Sequence, residues 1–467
     1  MNNRELPAHP SLDQYRKQAK ELVKAVRTNQ PDALQRIEEW HPRAAASRHF
    51  TLADAQFVVA QEHGFESWPE FARELKRLSA GPALVWEEAE RAVVAGDDST
   101  LARLLGEHAA MFREQQPPEF GPGGLRPDYS GGDARAIILR EHQFETWPDF
   151  EAYIAERADA NSLTAKFEDA ADSIINGDKA KVERLLRENP ELVHARSTRK
   201  HHAPLLHYLG GINGGEGYRQ KCPRNEVEIA ELLLKAGAPV DVIGGPYGNC
   251  SALGSIATSI QPMIAGLVEP LIETLLKYGV DINADPWPIV NGCLANGRAA
   301  AAEFLAKHGA KLDLEGAAGV GRLDLVKELI PKATEKKIKD GFTWACEFGR
   351  AAVVEYLLHC GMDVAAKLRH HGQTGLHWAA GGAHVETVRV LLAQGAPVDA
   401  KDEVWSVTPL AWALFGWRNW HLPEATPERY FETVRLLVRA GAIVDPEWLA
   451  ADDVNAISGM RRALGRE

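Results

Sequence analysis

A short pattern of apolar and polar residues recurs through the last two thirds of the chain. Leucine-rich segments of helical character run into a glycine and then into an alternating Val/Ile-Asp/Asn tail, as in LLLKAGAPVDV, LLKYGVDINA, FLAKHGAKLDL, YLLHCGMDVAA, LLAQGAPVDA and LLVRAGAIVDP. The glycines of these segments are Gly237, Gly279, Gly309, Gly361, Gly395 and Gly441. The clearest interval, from Gly361 to Gly395, is 34 residues. A period of this length predicts stacked helix pairs, because one pair cannot bury its apolar face alone.

One unit of this series departs from the pattern. Between Gly309 and Gly361 the segment EGAAGVGRLDLVKELI has the helical apolar spacing but no closing glycine. We interpret it as a degenerate repeat, so some seven repeats are expected.

The first third of the chain contains a different duplication. The segments AQFVVAQEHGFESWPEF, from Ala55, and ARAIILREHQFETWPDF, from Ala134, share their Trp-Pro, Phe and Glu-His residues at an offset of 79. Each has a hydroxyl residue three positions before a carboxylate, which predicts a capped helix start. These pairs are Ser67 with Glu70 and Thr146 with Asp149. We therefore predict a helical unit over 1–80, its duplicate over 81–160, and a repeat array with a C-terminal cap over 161–467.

The segment GQTGLHWAAGGAHVETVRVLLAQGAPVDAKD, residues 372–402, resembles the ankyrin repeat consensus. Weaker matches extend the resemblance over roughly 165–450. It implies an all-α fold, an α-solenoid of stacked helix pairs with short β-hairpin turns. It also implies a structural role in the turns for Thr374, His377 and His207. The Trp-Pro units are similar to segments found ahead of ankyrin repeats in bacterial proteins.

Composition narrows the function classes. Lys and Arg number 53 against 65 Asp and Glu, a net charge of −12, which argues against a nucleic-acid partner. The five cysteines form no CxxC pair, so neither a disulfide framework nor a metal site is expected. The uncharged stretch from Val242 to Val268 contains Pro246 and Pro262, which favours buried helix-turn segments over a membrane span. The N-terminus has no apolar signal segment, and we expect a cytoplasmic protein.

Signatures of catalysis are missing from the sequence. It contains no HExxH, P-loop or GxSxG motif, which predicts a protein that is not an enzyme and needs no cofactor. The alternative is an enzyme, or a regulatory subunit of one, that uses two insertions at 210–226 and 416–428. Cys222 lies in the first of these beside Arg219, Lys221 and Arg224, which would lower the pKa of its thiol. The plainer interpretation is an unreactive loop cysteine.

The leading hypothesis is a module that binds another protein on the concave face of the solenoid. Two basic turns are expected to be hairpin tips on that face, facing an acidic or phosphorylated partner, although solvated turns would have the same composition. Their residues are Arg199, Lys200, His201, His202, Arg369, His370 and His371. Three tryptophans of the last repeat are further candidate contacts: Trp405, Trp417 and Trp420. Trp378 and Trp412 are assigned to the core, and a purely structural spacer is a weaker third possibility.

Overall fold

The structure is a computed structural model. It describes residues 12–41, 50–65, 67–72, 142–214, 220–244, 250–368, 372–419 and 425–465, together with isolated positions between 75 and 139. The chain forms two compact units, one of residues 1–114 and 128–138, the other of residues 115–127 and 139–467. Residues 139–160, which the sequence analysis grouped with the duplicated helical unit, thus lie in the same compact unit as the repeats.

Three helices of the first unit are described from end to end: α1 (Leu12–Arg27), α2 (Pro31–Trp40) and α3 (Leu52–Glu62). Helix α3 begins with a full capping box between Thr51 and Asp54. It ends at Glu62 and is followed by Gly64, whose φ of 83° is left-handed. Buried side chains of α1 and α3 pack around Phe71, which follows the first Trp-Pro pair. A buried carboxylate, Glu62, receives two hydrogen bonds from the Arg36 guanidinium at 2.7 and 2.8 Å. The Glu of the repeated Glu-His pair therefore has a structural partner in the first copy.

The second unit is a succession of helix pairs. Its helices are α4 (Trp147–Ala158), α5 (Leu163–Ile175), α6 (Lys179–Glu188), α7 (Glu226–Lys235), α8 (Ala252–Thr258), α9 (Ile260–Ala265), α10 (Val268–Lys277), α11 (Ile289–Ala295), α12 (Ala299–Lys307), α13 (Leu314–Gly319), α14 (Leu323–Leu329), α15 (Glu335–Glu347), α16 (Ala351–His359), α17 (Gly375–Gly381), α18 (Val385–Ala393), α19 (Pro409–Asn419), α20 (Pro427–Arg439), α21 (Pro446–Ala450), α22 (Asp452–Ala456) and α23 (Ser458–Ala463). Short 3₁₀ segments lie at Pro190–Val193, Leu205–Gly214 and Ile330–Lys332.

The second helix of most pairs is followed by one of the glycines of the recurring segments. All six glycines of the recurring segments have φ between 80° and 97°, a left-handed conformation that costs glycine little. In the degenerate unit, α14 instead runs into a 3₁₀ turn containing Pro331. Before α4, Gln143 takes the left-handed position with φ 59° that Gly64 takes before the first Trp-Pro pair. Thr146 then caps α4 by accepting from the backbone N–H of Asp149.

Buried Leu, Ile, Val and Ala side chains from successive pairs form two clusters, one from Phe167 to Ala310 with Trp344 and the other from Leu314 to Leu464. The first helices of the pairs contribute many small buried residues, such as Ala379 and Ala380 in α17, which allow close packing of α17 against α19 and of α13 against α15. Within the described residues there is no extended strand. Two isolated antiparallel bridges, Arg196 with Pro204 and Gly244 with Cys250, close turns that precede first helices.

Candidate functional site

Three tryptophans from the last two repeats contact one another on the side of the first helices. The ring of Trp412, in α19, lies 5.5 Å from the ring of Trp378, in α17, and 6.1 Å from that of Trp405, in the preceding turn. Both pairs are inclined by 60°, the edge-to-face geometry that indole quadrupoles favour. The three rings therefore form a cluster that joins two repeats.

A buried carboxylate holds this cluster in place. One oxygen of Asp402 accepts from the backbone N–H groups of Val404, Trp405 and Ser406 at 2.7–3.1 Å, which fixes the turn that carries Trp405. Its other oxygen accepts from the indole N–H of Trp412 at 3.0 Å. Asp402 is buried, so its negative charge is satisfied by fixed N–H dipoles beneath the rings rather than by water.

The cluster is the inner part of an exposed apolar surface. Trp405 is 41% exposed and its neighbour Val404 is 52% exposed, while Phe415, one helical turn beyond Trp412, is 37% exposed. We call Trp378, Val404, Trp405, Trp412 and Phe415 the tryptophan patch. Large exposed apolar side chains are common singly, but three exposed ones beside two partly exposed tryptophans are typical of a binding surface.

The tryptophan patch differs in membership from the sequence-based candidates. The sequence analysis assigned Trp378 and Trp412 to the core. Trp378 does pack against the core, but both rings are also partly exposed and share the cluster with Trp405. The missed signal is a spacing of 34 residues that relates Trp344, Trp378 and Trp412. Trp344 is buried, so the series changes from core to surface along the repeats.

The other two candidate tryptophans lie elsewhere or cannot be placed. Trp417 is partly buried against the core formed with Ala383 and Tyr430, and the Arg418 guanidinium lies over its ring at 5.9 Å. Arg418 is also paired with both carboxylate oxygens of Asp453, at 2.5 and 3.0 Å. Trp420 and the four residues after it lie outside the described residues.

The first basic turn has a different environment from the expected hairpin tip. Arg199 is 1% exposed, and its guanidinium donates to Glu168 at 3.1 Å, to the Tyr153 hydroxyl at 3.0 Å and to the His142 carbonyl at 3.1 Å. The turn is docked onto α4 and α5, and an arginine buried in this network has no solvent-facing surface to offer a partner. The expectation of an exposed Arg199 is therefore corrected.

The neighbours of Arg199 are divided between the interior and the surface. His201 is buried, and its Nδ1 accepts from the backbone N–H of Ala203 at 3.0 Å. Lys200 is exposed, and its ammonium lies 2.7 Å from the Glu145 carboxylate. His202 is exposed with a left-handed φ of 44°.

The second basic turn is described only in part. Arg369, His370 and His371 lie outside the described residues. Lys367, just before them, is exposed, and its ammonium pairs with Glu403 at 2.7 Å. Each described lysine of the two turns thus has a carboxylate partner.

Histidines at the start of two first helices connect neighbouring repeats. His377 Nδ1 lies 2.9 Å from the Thr374 hydroxyl, and its Nε2 lies 3.1 Å from the carbonyl oxygen of Val407 in the next turn. His207 makes the corresponding contact with the carbonyl oxygen of Cys250 at 3.1 Å. Burial lowers the pKa of His377 and lowers that of His207 to about 4, which favours the neutral form of both rings.

The environment of Cys222 is the reverse of an activated thiol. Its Sγ donates to the Glu226 carboxylate at 2.5 Å, and burial together with that carboxylate raises the pKa of the thiol. Glu226 is itself buried, which raises the pKa of its carboxyl group to about 7, and it accepts from the backbone N–H of Gly210 at 2.8 Å. The expected lowering of the Cys222 pKa by basic neighbours is wrong, because the nearest charge is a carboxylate.

The described residues contain no group of three or more His, Cys, Asp or Glu side chains arranged to hold a metal ion. No described helix combines the length and apolar character needed to cross a membrane.

Comparison with known proteins identifies the repeats. The family model for ankyrin repeats in three copies matches residues 314–402 and 342–447, the region that contains the tryptophan patch. The ankyrin repeat and KH domain-containing protein mask-1 of Caenorhabditis elegans is 26% identical over 245 residues, which is 50% of this chain but 9% of that protein. The crystal structure of the human ASB11 ankyrin repeat domain aligns with 47% of this chain and 96% of its own at 20% identity, with a TM-score of 0.24.

The helices of the described residues and the family match confirm the predicted all-α fold class. Residues 314–447 match the model for ankyrin repeats, and the described helices stack in pairs as a solenoid of that kind does. Ankyrin repeats generally mediate protein–protein interaction, and their contact residues differ from one protein to another.

Proposed function

We propose that this protein is a non-catalytic interaction module that binds another protein through the tryptophan patch, on the face carrying the first helices of the repeats. We propose that this face is the concave side expected from the sequence. The observation that supports the proposal best is the exposed aromatic surface spanning two ankyrin repeats, anchored from below by Asp402. Rigid aromatic side chains are frequent anchors of protein interfaces because they bury a large area with little loss of conformational freedom.

The enzyme alternative has less support. Its best residue, Cys222, has a thiol whose pKa is raised and that donates to a buried carboxyl group, so it lacks thiolate character at neutral pH. Five free cysteines among the described residues fit a reducing compartment, and we propose a cytoplasmic location. The bacterial character of the Trp-Pro units stays a prediction.

The test uses the full chain as bait for in-cell crosslinking and quantitative mass spectrometry. We expect the double variant Trp405→Ala and Phe415→Ala to lose its crosslinked partners, with at least tenfold weaker capture, because truncation of interface anchors costs about 2 kcal/mol or more. The matched control is Ile443→Ala, which removes an exposed apolar side chain (71% exposed) outside the tryptophan patch. Equal partner capture by the double variant and the control would contradict the proposal, provided that both unfold at the wild-type temperature.

A further inference from the structure

A row of positive side chains lies along the exposed face of α1 in the first unit. Its members are Lys17, Lys20, Lys24 and Arg27, and all four are exposed. They are spaced by three, four and three residues, which on a helix places them within an arc of about 80° over a length of about 15 Å. We call these four residues the basic row.

The opposite face of α1 is fixed in the core of the first unit. Tyr15, Ala19, Leu22 and Val23 are buried there and pack with side chains of α3. The helix therefore has an apolar face that is already covered and a charged face that is open to a ligand.

The four cations of the basic row are not compensated within the fold. None of their side chains forms an ion pair or a hydrogen bond with a described residue, and Glu21, an exposed carboxylate of α1, lies beside the row without pairing to it. Lysines on the second helices of the repeats behave differently, since Lys179 pairs with Glu228 and Lys277 with Glu231 across neighbouring units.

The basic row is unfavourable for the helix that carries it. Like charges three and four residues apart repel each other on a helix, and the row contains three such neighbouring pairs. The helix dipole stabilises cations in the last turn, where Lys24 and Arg27 lie, but it does not stabilise Lys17 and Lys20 in this way. Folding alone does not account for the row, whereas a ligand that brings negative charge would relieve the repulsion.

We propose that the basic row binds an acidic helix of a partner protein. A helix with Glu or Asp at positions i, i+3, i+7 and i+10 presents four carboxylates at the same spacing, so each cation of the row gains a partner when the two helices lie side by side. The order three-four-three is the same in both directions, so the partner helix can lie parallel or antiparallel to α1. This surface belongs to the first compact unit and does not depend on the tryptophan patch.

Two other anionic ligands fit the basic row less well. An anionic membrane would be bound most strongly through an apolar helix face, and that face of α1 is buried in the core. A nucleic acid would extend beyond the length of the row and meet a chain whose net charge of −12 repels a polyanion. An acidic helix can contact the row alone.

The first experiment measures binding of labelled probes to the full chain by fluorescence anisotropy. The main probe is an alanine-based helical peptide with four Glu at the three-four-three spacing, and its control has the same composition with the four Glu scattered around the helix. A short DNA duplex and vesicles of phosphatidylcholine with phosphatidylserine represent the other ligands. We expect the spaced peptide to bind about five- to twentyfold more tightly than the scattered one at low salt, with a smaller preference at high salt.

Three results of this experiment would overturn the proposal. Equal binding of the two peptides would show that the row does not recognise the spacing. Tighter binding of the DNA duplex than of the spaced peptide would assign the row to nucleic acid, and tighter binding of the vesicles would assign it to a membrane.

The second experiment separates a binding role of the row from a structural one. In the full chain, Lys17→Gln with Lys20→Gln removes half of the row, and we expect about three- to fivefold weaker binding of the spaced peptide. The unfolding temperature should stay the same or rise, because repulsion within α1 is relieved.

The matched control is Lys307→Gln with Lys332→Gln, which removes two exposed lysines of the second unit and changes the net charge by the same amount. We expect it to bind the spaced peptide as wild type does. Equal weakening in the two double variants would mean that only net charge matters, and a fall in both binding and unfolding temperature in the first would indicate a structural role. Either result would refute the proposal, while loss of partner capture through the tryptophan patch is measured separately.

Discussion

At the scale of single residues, the structure reverses the roles of two sequence-based candidates. Cys222 and Arg199 both have basic or polar neighbours in the sequence, which suggested reactivity for one and exposure for the other. Each instead contacts a buried carboxylate: Glu226 four residues on in sequence, and Glu168 thirty-one residues earlier. The sequence shows only the neighbours along the chain. The carboxylates that set the pKa of Cys222 and hold Arg199 in the interior are brought to them by the fold.

Glu226 predicts a pH dependence of stability. The pKa of its carboxyl group is about 7 in the folded protein, against 4.5 when exposed, so the neutral form is favoured by folding. Its contribution is fully present below pH 4.5 and is lost as the pH rises through 7. Glu226→Gln mimics the neutral form. Its free energy of unfolding relative to that of wild type should therefore rise by about 1–3 kcal/mol when the pH is raised from acid to pH 8.

Urea unfolding of both proteins across this pH range, followed by circular dichroism, gives the difference directly. Buried His207 and His384, whose pKa values are lowered to about 4, add an opposite dependence that is common to both proteins and cancels. The matched control is Glu228→Gln, an exposed carboxylate on the same helix. A pH-independent difference between wild type and Glu226→Gln would refute the assignment.

Arg199 predicts a large asymmetry between single and double variants. Arg199→Leu leaves the buried carboxylate of Glu168 without its cation and should destabilise the second unit by about 3–5 kcal/mol. The double variant Arg199→Leu with Glu168→Leu removes both charges and should recover much of that loss. Denaturant midpoints of wild type and the two variants measure these differences in stability. A double variant that is no more stable than Arg199→Leu would show that the two side chains do not form a coupled pair.

At the scale of elements, the helix starts and stops could be predicted from the sequence and the tertiary placement could not. The Thr146 cap and the six left-handed glycines follow from local rules, because a backbone N–H or a positive φ has to be satisfied within a few residues. The docking of the 196–204 turn on α4 depends on contacts 46 to 57 residues apart. The tryptophan patch could be predicted in part, because the 34-residue spacing of its tryptophans is visible in the sequence. The exposure of each ring could not, because it depends on neighbours that only the fold brings together.

The packing of α19 against α17 predicts a position that tolerates only glycine. A Cβ at Gly416 would lie 2.2 Å from the Gly381 carbonyl oxygen and 3.0 Å from the Tyr430 hydroxyl, which donates to the same carbonyl at 2.9 Å. Because the obstacle is backbone, Gly416→Ala has to separate the two helices, and we expect a loss of about 2–4 kcal/mol.

Hydrogen exchange should locate that loss in residues 375–463, with faster exchange there than in the earlier repeats. Gly319→Ala is the matched control, since its Cβ would meet only the flexible end of Leu294 and a smaller loss is expected. Similar losses in both variants would contradict the account of a backbone obstacle.

At the scale of the whole molecule, the extent of the second compact unit predicts where the chain can be cut. A fragment of residues 139–467 keeps Tyr153 and the His142 carbonyl as partners of Arg199, whereas a fragment that begins at 161, the boundary expected from the sequence, loses both. We expect the free energy of unfolding of the longer fragment to be higher by about 2–4 kcal/mol, so that it unfolds at a higher denaturant concentration. Equal midpoints would place the boundary after residue 160 and support the original division.

The tryptophan patch also has an optical consequence. Indoles whose centroids are 5.5 and 6.1 Å apart are close enough for their electronic transitions to couple, which produces a split, sign-changing band in the far-ultraviolet dichroism spectrum. That band arises from the last two repeats, so it reports on their integrity without any label. A ligand that shifts Trp405 away from Trp412 would alter the splitting, and the surface that binds would then signal its own occupancy.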